Sequence, residues 1–261
     1  MYAAERKPAY SYAVIFEVKV LINDVMENNK AVMIKQVDTV LDIISERYAV
    51  KSVDPEEFGS FSVKVPVGPD KTADMGFEVQ QYKVDGYGNL AVMKTDNMVT
   101  IMLTPYTKDL PLISVDYMYM GEKRMSYIEF YGLGIDDEIS VFDKLRSLTE
   151  KYAGFADQPP APGWFDEFRT MGLFKLSEQA DDDSISQMLY DSFEIVMDEA
   201  KTISDLEHRQ RIAKYKKIDE YYVHLLNEPG VSTAVFNNCM GTSWTCRFFS
   251  RVFFGTNMWK P

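Results

Sequence analysis

Histidine and cysteine are scarce in this 261-residue chain, with two of each. His208 and His224 leave little material for metal sites or catalytic triads, and HExxH, Gly-x-Ser-x-Gly, a Walker loop and a post-strand GxGxxG are all missing. These gaps argue against metallohydrolases, serine hydrolases and nucleotide-dependent enzymes, and no flavin or nicotinamide site is visible. Gly86 and Gly88 form an isolated Gly-x-Gly that reads as a hairpin turn. Cys239 and Cys246 have the spacing of neither a zinc ligand set nor a disulfide framework, so reduced thiols in a cytoplasmic protein are expected. No apolar run approaches the roughly 18 to 20 residues of a membrane span, and no charged-then-apolar leader pattern opens the sequence. Basic residues are also in deficit, 28 against 40 acidic ones. The formal charge of −12 repels a phosphate backbone, and nucleic acid is not an expected partner.

What is abundant is apolar and aromatic. Hydrophobic residues make up 46% of the chain, enough to bury a full core, and the expectation is one domain over residues 1–261. Sixteen Phe, 16 Tyr and 15 Met suit either an ordinary core or a pocket for a planar apolar ligand.

Helical spacing comes first. Val14, Val18, Leu21, Ile22 and Val25 recur on one face, and Met33, Val37, Val40, Leu41 and Ile44 repeat the pattern after Asn28-Asn29-Lys30, which predicts two amphipathic helices. From about Ser60 short β-type runs take over: Phe61 to Val65, Gly76 to Val84, Leu90 to Lys94, Met98 to Thr104, Leu112 to Met120 and Met125 to Tyr131. The connections among them are too short for helical crossovers, so an antiparallel sheet is expected. Asp136-Asp137 then opens a helix through Ile139, Phe142, Leu145, Leu148 and Tyr152. A Pro-rich connector spans Gly154 to Trp164. Beyond it a helix carries Ile185, Met188, Leu189, Phe193 and Val196, and Ser204-Asp205-Leu206-Glu207 reads as a capping box opening another that stops at Pro229-Gly230. The tail from Val231 to Phe254 is helical with a break at Gly241. The fold class is α+β.

Asp116 is the most informative residue. It interrupts the apolar run Leu112 to Met120, and strand alternation puts it on one face with Ser114 and Met118. A carboxyl buried there without a partner tends to keep its proton, which makes it a candidate acid; the alternative is an aspartate that hydrogen-bonds a neighbouring loop. Glu228 follows Asn227 at a helix C-terminus, where the helix dipole also favours the protonated form, or where it is simply solvated. The basic run His208-Arg209-Gln210-Arg211 with Lys214, Lys216 and Lys217 is either a solvated helix face or a site for ligand carboxylates or an acidic protein.

Three segments together resemble the ferredoxin-dependent bilin reductase family, to which red chlorophyll catabolite reductase is related. The first is MVTIMLTPYTKDLPLISVDYMYMGEKRMSYIEFY, Met98 to Tyr131, with a strand, a Leu-Pro step, a strand holding a central Asp, a glycine turn and a closing strand. The second is Pro162 to Glu167, running on to Gly172-Leu173-Phe174. The third comprises LEHRQ from Leu206, NEP from Asn227, and MGTSWTCRFFSRVFFG from Met240 to Gly255.

The resemblance implies a three-layer α/β/α sandwich in which a linear tetrapyrrole such as biliverdin lies between the sheet and the C-terminal helices. It implies an oxidoreductase with no bound flavin or metal, fed single electrons by an external ferredoxin or flavodoxin. Asp116 matches the strand aspartate that protonates or hydrogen-bonds the bilin, and Glu228 stands where many members carry aspartate. Ser114, Met118, Val99, Asn227, Arg209 and Arg211 become candidate substrate contacts. Val99 is the position, counted back from Leu110-Pro111, where some members carry a histidine; its absence implies a two-electron rather than a four-electron reduction. Because such electron donors are acidic, a local basic patch is needed, drawn from Arg209, Arg211, Lys214, Arg247 and Arg251. The alternative readings are a non-catalytic tetrapyrrole-binding protein, in which His224 could ligate a haem, and an interaction module using the C-terminal aromatics.

Overall fold

The computed structural model of the chain describes residues 12–68, 71–135, 140–228 and 230–261. Its first element is a single helix, α1 (Tyr12–Ser45), where two helices are expected from the sequence. Asn28-Asn29-Lys30 does not break it, because asparagine costs a helix only about 0.5 kcal/mol. Buried Asn29 is also satisfied from outside the helix, accepting Arg124 Nη2 at 2.9 Å. Met33, Val37, Val40 and Ile44 form its buried stripe as their spacing requires.

Among the described residues nine strands follow: β1 (Val50–Val53), β2 (Ser60–Gly68), β3 (Lys71–Val84), β4 (Gly88–Lys94), β5 (Met98–Pro105), β6 (Leu112–Met120), β7 (Lys123–Tyr131), β8 (Ala156–Asp157) and β9 (Arg169–Glu178). All pair antiparallel in the order β1-β3-β4-β5-β6-β7-β9-β8. β2 shares the β3 edge with β1, taking the stretch from Lys71 to Glu78. The Gly86 and Gly88 pair is a hairpin turn. Gly86 has φ +76°, and a Cβ on Gly88 would lie 1.9 Å from the Thr104 carbonyl oxygen, so neither position accepts a side chain without strain.

The short β1 and β8 and the long β9 are not among the strands expected from the sequence; in β9 alternation is masked because its core-facing positions read Leu173, Lys175, Ser177. The Lys175 stem is buried while its ammonium reaches Asp157 at 2.6 Å, so a charged residue stands where an apolar one is expected.

The helices are α2 (Val141–Lys151), α3 (Asp182–Thr202), α4 (His208–Asn227), α5 (Val231–Met240), α6 (Thr242–Phe248) and the short α7 (Thr256–Trp259), with a π-helical turn at Phe249–Phe253. The Asp136-Asp137 start assigned to α2 lies outside the described residues, as does Pro229. α4 begins three residues later than the Ser204 capping box predicts. The Leu206 amide donates to the Thr107 carbonyl at 2.8 Å, tying that segment to the β5–β6 loop, and the cap is instead the Glu207 amide on Gln210 Oε1 at 2.9 Å. The break at Gly241 is as expected, with φ +85°.

One sheet face packs on α1, α2 and α3 through Ile101, Val115, Tyr117, Ile128 and Phe130; the other packs on α4 to α6 through Val79, Met93, Met102 and Tyr131. The result is the three-layer α/β/α sandwich expected from the sequence. Among the described residues no helix is long and apolar enough to cross a membrane.

Candidate functional site

A hollow of about 230 Å³ opens between the sheet and the C-terminal helices. Strand alternation builds its floor. β5 contributes Thr100 and Met102, β6 Ser114 and Asp116, and β7 Tyr127, Glu129 and Tyr131. Tyr221 and Leu225 of α4, Phe236 of α5, and Phe249 and Phe253 of the π-helical turn form the roof. The Pro-rich connector closes one side with Pro160, Trp164 and Phe165.

Asp116 sits opposite Thr100 on β5 and Tyr127 on β7. What surface it keeps faces the hollow, and its carboxyl is otherwise enclosed by protein. Burial pushes that carboxyl up, the Thr100 hydrogen bond at 2.5 Å opposes the rise, and the charge of Glu129 adds to it; the balance is about 7. A substantial share of Asp116 is therefore protonated near neutral pH.

Glu129 is the second carboxyl of the hollow and was not singled out in the sequence. It pairs with Ser114 across β6 and β7 and accepts Arg169 Nη1 at 2.6 Å, with both side chains about one-seventh exposed. Arg169 also pairs with Asp166 and stacks its guanidinium 5.1 Å from the Phe165 ring and 4.9 Å from Phe174. Burial disfavours its charge, but the pairing with Glu129 and the nearby Asp166 more than offsets this and holds its pKa above the ordinary value. Tyr131 and Tyr221, with ring centroids 4.9 Å apart, are both pushed well up, burial being the largest cause. The Trp164 indole N–H is buried without a hydrogen-bond partner among the described residues.

The sequence-derived candidates divide. Asp116 and Ser114 line the hollow. Met118 shares their face, between Met98 and Met125, but stands beyond the lining. Val99 requires a correction: it is fully buried on the opposite face, in the core beneath α1 and α3, and cannot touch anything in the hollow. The β5 residue that faces Asp116 is Thr100. Asn227 and Glu228 lie at the exposed C-terminal end of α4, outside the lining. The Glu228 side chain is 61% exposed and pairs with His224 Nε2 at 3.4 Å. Arg209 and Arg211 are exposed at the far end of α4; Arg211 is ten residues, or about 15 Å of helix, from Tyr221. Neither reaches the hollow.

Two further basic candidates are engaged in the fold. Lys214 is fully buried and donates to the Leu110 carbonyl at 2.7 Å, while Arg251 pairs with Glu56 at 2.7 Å. His224 packs on Trp164, ring centroids 4.5 Å apart. Among the described residues no group of three or more His, Cys, Asp or Glu side chains could hold a metal ion.

No family model matches the chain, and no curated protein matches it in sequence. Solved structures do match. The chain superposes on phytochromobilin synthase from tomato, crystallised in complex with biliverdin, with a TM-score of 0.66 and 11% identity, covering 87% of this chain and 84% of that one. At that identity the likeness shows a shared fold.

Proposed function

We propose that the chain is a bilin reductase that binds a linear tetrapyrrole of the biliverdin type in the hollow and reduces it by single-electron steps from ferredoxin or flavodoxin. The observation that carries this reading is Asp116: an acid with a pKa of about 7 facing an aromatic-walled hollow. A fold shared with a protein crystallised on biliverdin supports the choice of ligand.

Reducing one double bond takes two electrons and two protons. In this reading the first electron makes a radical anion that takes its proton from Asp116, and the second electron is matched by a proton from solvent by way of the reprotonated carboxyl. The apolar roof shields the radical from water. A hollow of about 230 Å³ is smaller than the roughly 300–1,000 Å³ usual for small-molecule sites, so binding would displace the connector carrying Trp164 and Phe165 or leave the propionate-bearing edge in solvent. Glu228, exposed outside the lining, receives no proton-transfer role.

That placement of Glu228 favours one competing reading, a protein that holds a tetrapyrrole without reducing it. Anaerobic mixing of the biliverdin complex with reduced ferredoxin separates the two. Bleaching of the long-wavelength bilin band supports reduction, and a spectral shift on binding with no bleaching supports holding alone.

A further inference from the structure

Glu129 is a charged group built into the wall of the hollow that the mechanism above does not use. It lies on β7 two residues from Tyr127, the direct partner of Asp116, so the two residues are diagonal neighbours on one face, their backbone positions about 7 Å apart by ordinary sheet geometry. Arg169 holds it there with a nearly buried ion pair, and Asp166 and the rings of Phe165 and Phe174 hold Arg169 in turn. A carboxylate fixed this firmly, beside an acid that must carry a proton, is an arrangement that separates the roles of two like groups.

We propose that Glu129 is a positioning residue for Asp116: its carboxylate, clamped by Arg169, keeps the proton on Asp116 and so sets the pH range in which the hollow holds a usable acid. The inference rests on Asp116 being the acid of the reductase reading, but it concerns the protein alone and is measured without ligand.

The groups facing this pair support it. Thr100 on β5 is uncharged and donates to Asp116, which favours the anion. Tyr127 and Tyr131 on β7 and Tyr221 on α4 are all raised, burial first in each case and the negative charge of Glu129 among the further causes. Among the described residues lining the hollow, none is Lys, Arg or His. Arg169 and Asp166 act on Asp116 only from behind Glu129. Among the described residues of the lining, Glu129 is therefore the one acidic side chain besides Asp116, and no basic group on the roof offsets its influence.

The test follows the protonated carboxyl band of Asp116 by infrared difference spectroscopy, identified as the band lost in Asp116→Asn. Its midpoint in the wild type is expected near 7. Glu129→Gln should lower that midpoint by about one pH unit, since a like charge is removed and Arg169 is left in excess. Glu129→Asp, which keeps the charge, should leave it within a few tenths of the wild-type value. Should the amide disturb folding, Glu129→Met removes the same charge at similar volume and is read in the same way. A midpoint unmoved in the neutral variants, or moved equally in Glu129→Asp, overturns the proposal. Absence of turnover with biliverdin in every variant, wild type included, refutes the reductase reading and leaves the midpoint comparison standing.

Discussion

Thr100 and Asp116 stand directly opposite each other on β5 and β6, and the Thr100 hydroxyl donates to Asp116 Oδ1 at 2.5 Å. That bond favours the carboxylate, whereas burial favours the acid. The two effects fix where the alkaline limb of any Asp116-dependent rate must fall. An acid is used in its protonated form, so turnover is expected to be highest at low pH and to decline as pH rises through about 7. Thr100→Val keeps the shape and removes the donor. The declining limb should move to higher pH in this variant, by about half a unit to one unit. A pH–rate profile of the two proteins checks it, and a limb displaced to lower pH contradicts the assignment.

Lys214 should leave its mark on stability. Its buried ammonium is held at Leu110 and 3.4 Å from Asp109, but burial outweighs Asp109 and lowers its pKa to about 8. The unfolded chain holds that proton up to about 10.4, so between about 8 and 10 the unfolded state binds more protons and stability rises with pH. Lys214→Met should abolish this upward slope, as read from urea midpoints at pH 8 and pH 9.5.

Trp164 lines the hollow and carries a buried N–H without a partner among the described residues, a donor that a bound ligand carbonyl could take up. Trp164→Phe should leave stability within about 1 kcal/mol and weaken biliverdin binding by roughly threefold to tenfold, the worth of one hydrogen bond. Absorbance titrations of the two proteins compare the affinities.

Glu228 gives the opposite expectation. Its contact with His224 is exposed, and exposed pairs contribute little. Glu228→Gln should change turnover by less than about twofold, and steady-state rates with biliverdin and reduced ferredoxin decide it.

Much of the architecture was legible because the sheet obeys simple rules. The alternation of β5, β6 and β7 put Asp116 and Ser114 on one face, and the short turns required antiparallel neighbours. What alternation cannot supply is register. Val99 and Thr100 are neighbours in sequence but point to opposite faces, and a count along a loop does not decide between the two. β9 was hidden by a different cause, the buried Lys175 and Ser177, which interrupt its apolar pattern. Glu129 lies in the quoted segment with nothing in its neighbours to mark it; its partner Arg169 is forty residues away on β9. Glu228 is the reverse case. A carboxylate at a helix end reads the same in sequence whether it turns inward or outward, and here it is outside.

The role of Asp116 is tested most sharply by the single-turnover reduction of bound biliverdin by reduced ferredoxin in wild type and Asp116→Asn. The variant is expected to bind the pigment still, with a comparable spectral shift, while its rate at pH 6.5 falls about a hundredfold or more. An Asp116→Asn protein that bleaches the pigment as fast as the wild type would contradict it.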